Sequence, residues 1–366
     1  MNDRAYMQLA WQVARKGAGQ TWKNPLVGAV LVKDDQILAT GYHHRFGEKH
    51  AEVDALNQLS TLTQAHGATM YVTLEPCSHY GKTPPCAHKL VEVGVRRVVI
   101  GQRDPNPLVA GKGMEILSAA GIEIDCLGDT GGLNDTYNFF YRQKRPFVTL
   151  KYAMTLDGKT NGMKGQRSLL TGKKAYYDSQ HLRRQNQAIL VGEQTLKIDD
   201  PELTIRENVV DFPPLRVVVV NDADQIDHQS RLFATATPIL ILSRHETKQH
   251  WPDFVTVLAS HRWEPNEIMK ILYLRGVQSL LIEGGSHVQA KFLAAGLVDA
   301  LVIYVAPLIF GSGLPAITGL DNVITQGFKL VKRQFLDGDT RFDLRRIANV
   351  YRYHTNDRAS DQFRKN

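Results

Sequence analysis

His50-Ala51-Glu52 and, further along, Pro76-Cys77-Ser78-His79-Tyr80-Gly81-Lys82-Thr83-Pro84-Pro85-Cys86 decide how this chain is read. One imidazole and two thiolates are ligand types that zinc favours, and three of them leave a fourth position for water, whose pKa the metal lowers toward neutrality. An open position marks a catalytic site, whereas a closed structural site needs a fourth protein ligand, for which His79 and His88 are the candidates. Glu52 stands two residues from His50, where it can lie beside the metal without binding it and carry a proton to a leaving nitrogen.

Working outward, Ala51, Ala55, Leu56 and Leu59 recur at helical spacing, which places His50 and Glu52 in the first turn of a helix. Cys86 opens a second helix through Leu90 and Val93 to Gly94. Both halves of the motif are thereby expected at helix N-termini, where free N–H groups and a partial positive charge favour thiolates. Before the motif, Tyr6, Leu9, Ala10 and Val13 predict a helix stopped by Gly17 and Gly19. Val27–Val32 and Ile37–Gly41 predict a hairpin turning on Asp34-Asp35. Thr69–Leu74 and Val95–Ile100 read as strands and Ala110–Ala120 as a helix, so an α/β layer closes near Cys126. Asn134–Arg145 reads as a polar, aromatic-rich connector, ended by Arg145-Pro146 because the residue before proline is pushed out of the helical region.

The second half alternates again. Strands are predicted over Phe147–Ala153, Ala188–Gly192, Leu215–Val220, Ile239–Leu242, Leu280–Glu283 and Ala300–Ala306, with helices over Lys173–Arg184 and Val288–Ala295. Such alternation predicts a sheet covered by helices. No Gly-x-Gly-x-x-Gly follows these strands, which argues against an ordinary dinucleotide-binding fold. The expected organisation is two domains, 1–145 and 146–355, with 356–366 a frayed tail.

Composition agrees with a cytoplasmic enzyme. The 366 residues suffice for about two domains, and no apolar run approaches the roughly 18 residues of a membrane span. Of the 3 cysteines the metal claims two, leaving Cys126, expected as a buried small hydrophobe in a reducing compartment. The formal charge of +7 is spread along the chain and suits phosphorylated small molecules rather than nucleic acid.

His-x-Glu with Pro-Cys and a later Cys is the pattern of zinc deaminases, whose usual second half is Pro-Cys-x-x-Cys. Here the cysteines are far apart. That long insert, with Asn24-Pro25-Leu26-Val27-Gly28 and Asp104-Pro105-Asn106-Pro107, resembles the bifunctional deaminase–reductases of riboflavin biosynthesis. In the second half Lys151–Gly158, His181-Leu182-Arg183, Gly192–Thr195, Asp199–Arg206 and Glu283-Gly284-Gly285 resemble the same family's reductase domain. The resemblance implies a cytidine-deaminase-like zinc domain followed by a dihydrofolate-reductase-like domain. It implies one zinc ion per chain held by His50, Cys77 and Cys86, Glu52 as catalytic acid/base, and NADPH as reductant. Asn24, His43, His79, Lys82 and Thr83 would contact the deaminase substrate; of the adjacent pair His43 and His44, one is expected to be functional and the other solvated. Cofactor contacts would be Ala153, Leu169, Thr195, Asp199 and Gly285; reductase substrate contacts would be Lys151, Arg167, Arg183, Leu203, Arg206 and Glu283. The substrates would be phosphorylated pyrimidines, and such families suggest a homodimer or higher homo-oligomer.

Two positions depart from the family pattern: Leu169, within Arg167–Thr171, where the family carries a tryptophan, and Ala300, where it carries an acid. A zinc deaminase with a silent reductase half is therefore one alternative. A second is a deaminase of nucleic-acid bases, for which a reductase half has no use. A third is a catalytically silent zinc scaffold, which would not need Glu52.

Overall fold

The computed structural model describes residues 2–78, 85–163, 165–166, 168–207, 210–319 and 326–347. His79, Lys82, Thr83, Arg167 and the expected tail lie outside the described residues.

The first half contains α1 (Asp3–Ala14), β1 (Gly28–Lys33), β2 (Gln36–Tyr42), α2 (Ala51–Leu56), β3 (Thr69–Leu74), α3 (Cys86–Glu92), β4 (Arg97–Gln102), α4 (Lys112–Ala119), β5 (Glu123–Cys126) and α5 (Asp135–Gln143). Its sheet has the order β2-β1-β3-β4-β5, antiparallel across β2, β1 and β3 and parallel from β3 to β5. The hairpin turns where expected. Asp34 and Asp35 both take positive φ, 50° and 58°, as a tight turn between right-twisted strands requires. Strand alternation sorts side chains to the two faces. Val30, Val32, Tyr71 and Val99 pack with Tyr6, Met7, Ala10 and Trp11 of α1. Leu31, Met70, Val72, Val98 and Ile100 pack with Ala51, Ala55, Leu56, Leu90 and Leu117 on the opposite face. A Cβ at Gly41 would stand 2.3 Å from the Ala51 carbonyl oxygen, so α2 lies directly on the β2 backbone.

The second half contains β6 (Phe147–Thr155), β7 (Lys159–Asn161), α6 (Lys173–Arg184), β8 (Ala188–Gly192), α7 (Glu193–Asp199), β9 (Leu215–Val220), β10 (Ile239–Ser243), β11 (Val255–Ala259), α8 (Pro265–Leu274), β12 (Ser279–Ile282), α9 (Ser286–Ala294), β13 (Ala300–Ala306), β14 (Leu314–Pro315), β15 (Phe328–Leu336) and β16 (Asp339–Arg346). Nine strands form one sheet, β11-β10-β9-β8-β12-β6-β13-β16-β15. It is parallel from β11 to β13 and antiparallel at β16 and β15. Its central strands are buried on both faces, with Leu190, Val217, Leu240 and Leu280 in one core and Ile189, Val218, Ile241 and Leu281 in the other.

Three expectations are corrected. Residues 134–145 hold a helix: Tyr137 and Phe140 recur at helical spacing and are buried, and Asn138 exchanges two hydrogen bonds with buried Gln102. The break before Pro146 remains, with Lys144 left-handed and the Arg145 guanidinium bonded through two nitrogens to Asp299. Cys126 is exposed, because it ends β5 at the sheet edge. Cys77 lies in the loop after β3, so only His50 and Cys86 occupy helix starts.

Candidate active sites

The zinc centre is assembled from two loops that cross the end of the first sheet. His50 is the N-cap of α2 and Cys86 the first residue of α3, while Cys77 follows β3. Glu75 fixes the last of these: its buried carboxylate accepts hydrogen bonds from the N–H groups of Asp104 and Gly111, at 3.2 and 3.1 Å. Gly113 of α4 is packed so closely on Pro76 that a Cβ would stand 2.0 Å from the Pro76 carbonyl oxygen. His50 Nδ1 lies 3.3 Å from Cys77 Sγ and 3.4 Å from Cys86 Sγ. A tetrahedral zinc ion with ordinary Zn–N and Zn–S lengths separates such ligands by about 3.5 Å, so the donor set fits the metal. Among the described residues no other His, Cys, Asp or Glu joins these three, and His88 is not a fourth ligand.

Glu52 lies in the first turn of α2 at 3% exposure. Burial pushes its carboxyl up to about 7, near the value at which a group both takes and gives a proton. Among the protein groups themselves, hydrogen bonding with Cys86 holds the Cys77 thiol down to about 4, and the bond to Cys77 raises His50 to about 9. The hydrogen bond to Cys77 and burial push the Cys86 thiol well up, so among the protein groups one thiolate faces one imidazolium. A dication held there would favour the second thiolate and the neutral imidazole.

His43 is buried beside this centre, its ring edge-on to that of His50 at 5.5 Å. Its Nδ1 faces the Lys49 carbonyl at 2.9 Å, which can only accept, and burial lowers its pKa. The neutral ring therefore presents an acceptor at Nε2, 3.0 Å from the Asn24 amide nitrogen, which donates. The neighbouring His44 is paired with Asp54 on the surface.

The reductase candidates meet in one cavity of about 790 Å³ at the C-terminal ends of β8, β12 and β6. Lys151, Ala153, Leu169, Arg183, Thr195, Asp199, Leu203, Arg206, Glu283 and Gly285 all line it. Arg183 Nε and Nη2 donate to the two oxygens of Glu283 at 2.9 and 2.6 Å, and Nη1 donates to the Thr204 carbonyl at 2.8 Å. Burial alone would push Glu283 up, and the Arg183 guanidinium more than offsets it, holding the carboxyl below the ordinary range. Leu203 takes a positive φ of 56° and is buried. Gly284 approaches Thr195 so closely that a Cβ would stand 2.7 Å from its hydroxyl oxygen. Gly285, at φ 78°, then opens α9 into the cavity, where free N–H groups suit the phosphates of a dinucleotide. Both the volume and this helix start fit NADPH.

Leu169 stands at the mouth of the cavity, 80% exposed, where an aromatic wall would have been covered by the cofactor. Ala300 begins β13 and pairs with Thr149 and Arg345, away from the cavity lining. Sequence reasoning missed Tyr304, Gln180 and Asn161 as lining residues. Tyr304 alternates inward along β13 and donates to Asp178 at 2.6 Å, and the only signal was its place in a strand already predicted.

These two sites define the class: a zinc-dependent pyrimidine-type deaminase joined to an NADPH-dependent reductase. Residues 1–102 match the family model for the cytidine and deoxycytidylate deaminase zinc-binding region, and residues 146–341 match that for the RibD C-terminal domain. The chain belongs to the RibD family, the bifunctional deaminases and reductases of riboflavin biosynthesis. It is 42% identical to riboflavin biosynthesis protein RibD of Bacillus amyloliquefaciens over 322 residues, covering 85% of this chain and 86% of that one. The Aquifex aeolicus RibD is 39% identical over 318 residues, covering 85% and 89%. Among solved structures, Acinetobacter baumannii RibD superposes with a TM-score of 0.85 at 34% identity, covering 94% of this chain and 99% of that one. A Thermotoga maritima diaminohydroxyphosphoribosylaminopyrimidine deaminase/5-amino-6-(5-phosphoribosylamino)uracil reductase gives 0.82 at 35%, with the same coverage. The match across the second half favours the two-reaction enzyme over a base deaminase of nucleic acids or a deaminase alone.

Proposed function

We propose that the N-terminal half deaminates C2 of 2,5-diamino-6-(ribosylamino)-4(3H)-pyrimidinone 5′-phosphate, and that the C-terminal half reduces the ribosyl group of the resulting aminouracil to ribityl. The substrates are those named by the Thermotoga relative. The observation that carries the reading is Glu52, a buried acid in the first helical turn beside three zinc-ligand atoms that no fourth described residue closes.

Zinc bound by His50, Cys77 and Cys86 supplies a Lewis acid that makes water a nucleophile near neutral pH. The protein's own work is proton handling and alignment. Glu52, tuned to about 7, would take one proton of the attacking water and deliver it to the ring nitrogen. It would then take the remaining proton of the oxygen now bonded to C2 and deliver it to the amino group, which leaves as ammonia while the C2 carbonyl forms. Asn24 keeps its amide oxygen and a second N–H for the pyrimidine edge. His43, expected to contact the substrate, instead holds Asn24, because its two ring nitrogens are taken by Asn24 and Lys49; His79, Lys82 and Thr83 are assigned to the remaining polar groups.

In the reductase half NADPH supplies hydride when bound, and the chain supplies orientation and charge. Ala153, Leu169, Thr195, Asp199 and Gly285 line the cofactor side. Glu283 and Arg183 neutralise each other, while Arg206 and Arg231 share the single carboxylate of Glu202, which leaves that cluster one positive charge for the phosphate. Lys151 is assigned beside the sugar, and Leu203 and Arg167 to the remaining substrate contacts. Arg183 keeps two N–H donors beyond its three bonds, enough for one phosphate or sugar contact. The division between halves is placed at Arg145-Pro146, supported by separate sheets on either side. A cytoplasmic setting and a homo-oligomer complete the proposal; no described helix is long and apolar enough to cross a membrane.

Zinc-loaded enzyme given the diaminopyrimidinone phosphate and NADPH tests this reading, with ammonia and NADPH followed separately. Ammonia release should precede NADPH oxidation. Absence of ammonia would overturn the assignment.

A further inference from the structure

The loop that carries Asn24 is held by the other half of the molecule. Gln187 and Gln278 stand one residue before β8 and β12, two neighbouring parallel strands. The Gln278 backbone N–H donates to Gln187 Oε1 at 2.8 Å, which turns the Gln187 amide nitrogen outward to donate to the Trp22 carbonyl at 2.9 Å. The Gln278 side-chain nitrogen donates to the Lys23 carbonyl, also at 2.9 Å, and Lys23 Nζ donates to the Arg275 carbonyl at 2.9 Å. Successive carbonyls immediately before Asn24 are thus fixed from the reductase sheet.

Trp22 itself has φ 48°, a conformation that a bulky residue keeps only when its surroundings impose it. Its ring lies flat on Phe212 of the reductase half, centroids 5.1 Å apart and planes 6° apart. The second partner of the pair is tethered the same way: two residues beyond His43, Arg45 bonds Asp211 at 2.8 Å, and Phe46 meets Phe212 edge-on. Both members of the Asn24–His43 hydrogen bond therefore ride on loops anchored across the boundary. The same two strands end at Gly192 and Ile282, and Gly192 and Glu283, the residue after Ile282, lie in the wall of the reductase cavity.

We propose that Gln278 and Gln187 are positioning residues for deamination: through the carbonyls of Lys23 and Trp22 they set Asn24 against His43, so the reductase half completes the deaminase's substrate pocket. This rests on the reading that Asn24, set by its hydrogen bond to His43, contacts the deaminase substrate. The contacts act on substrate alignment and lie outside the zinc centre, so the effect falls on KM.

The test uses full-length, zinc-loaded Gln278→Met, Gln187→Leu and Asn24→Ala enzymes. Ammonia release is titrated with the diaminopyrimidinone phosphate, and NADPH oxidation with the deaminated product. Gln278→Met should raise the deamination KM about five- to tenfold, the worth of one lost hydrogen bond, with kcat and both reductase constants within about twofold. Gln187→Leu should move KM in the same direction. An unchanged KM in Gln278→Met, alongside a raised KM in Asn24→Ala, would overturn the positioning role. A parallel fall of both activities would also overturn it, reducing the glutamines to general stability. An unchanged KM in Asn24→Ala would overturn the underlying reading and the proposal with it.

Discussion

The zinc centre and the reductase cavity are held together by different physics. At the zinc centre three soft or borderline donors and one acid come from two short loops, and the atoms that matter converge within hydrogen-bonding distance of one another. The cavity is wide, drawn from β6, β8, β12, β13, α6 and the loops after them, and the most buried ion pair among its described lining residues is Arg183–Glu283. A compact donor set fails all at once when one member is lost, whereas a distributed cavity should degrade in steps.

Zinc removal probes that contrast most severely. Chelation should abolish ammonia release while NADPH oxidation with the deaminated aminouracil persists; loss of both on chelation would erase the distinction between the sites. Next in size is the buried ion pair. Glu283→Ala leaves Arg183 charged and unpaired at 12% side-chain exposure, and should cost about 3 to 5 kcal/mol in denaturant unfolding, together with reductase activity. The double variant Glu283→Leu/Arg183→Met should recover most of that stability without recovering reduction, which separates what the pair does for the fold from what it does for the substrate.

The same pair gives a pH signature. Glu283 is held below its ordinary pKa, so its contribution to stability is complete above the unfolded value of about 4.3 and is lost as pH falls through the lower folded value. Wild type should lose this increment on acidification and the double variant should not. The smallest effect is expected at the cavity mouth: Leu169→Trp should lower the NADPH KM about three- to fivefold through added aromatic contact, with ammonia release unchanged. An unchanged NADPH KM would show that the exposed leucine lies off the cofactor's path.

The same contrast explains what could be read in advance. The zinc donors were legible because ligand chemistry is written in residue type: few residues besides His and Cys can stand at positions 50, 77 and 86. The buried strands were legible too, and Ala188–Gly192, Leu215–Val220 and Ala300–Ala306 begin and end as expected, since central parallel strands are continuous apolar runs. Elements with mixed faces escaped. The helix Asp135–Gln143 hides its apolar stripe among polar residues, and the hairpin Phe328–Leu336 with Asp339–Arg346 alternates charge on an exposed edge. Arg183 and Glu283 were each expected as substrate contacts, and that they pair with each other across 100 residues is something no local pattern announces. The strap from Gln278 to Lys23 spans 255 residues and is invisible for the same reason.

The central claim is that two chemistries run at two separate sites, with Glu52 carrying the proton of the first. Glu52→Gln tests it most directly: the zinc-loaded variant is assayed in parallel for ammonia from the diaminopyrimidinone phosphate and for NADPH oxidation with the deaminated aminouracil. Ammonia release should fall about 10²- to 10⁴-fold, with zinc content retained and NADPH oxidation at the wild-type rate. Undiminished ammonia release, or an equal collapse of both reactions with zinc retained, would contradict it.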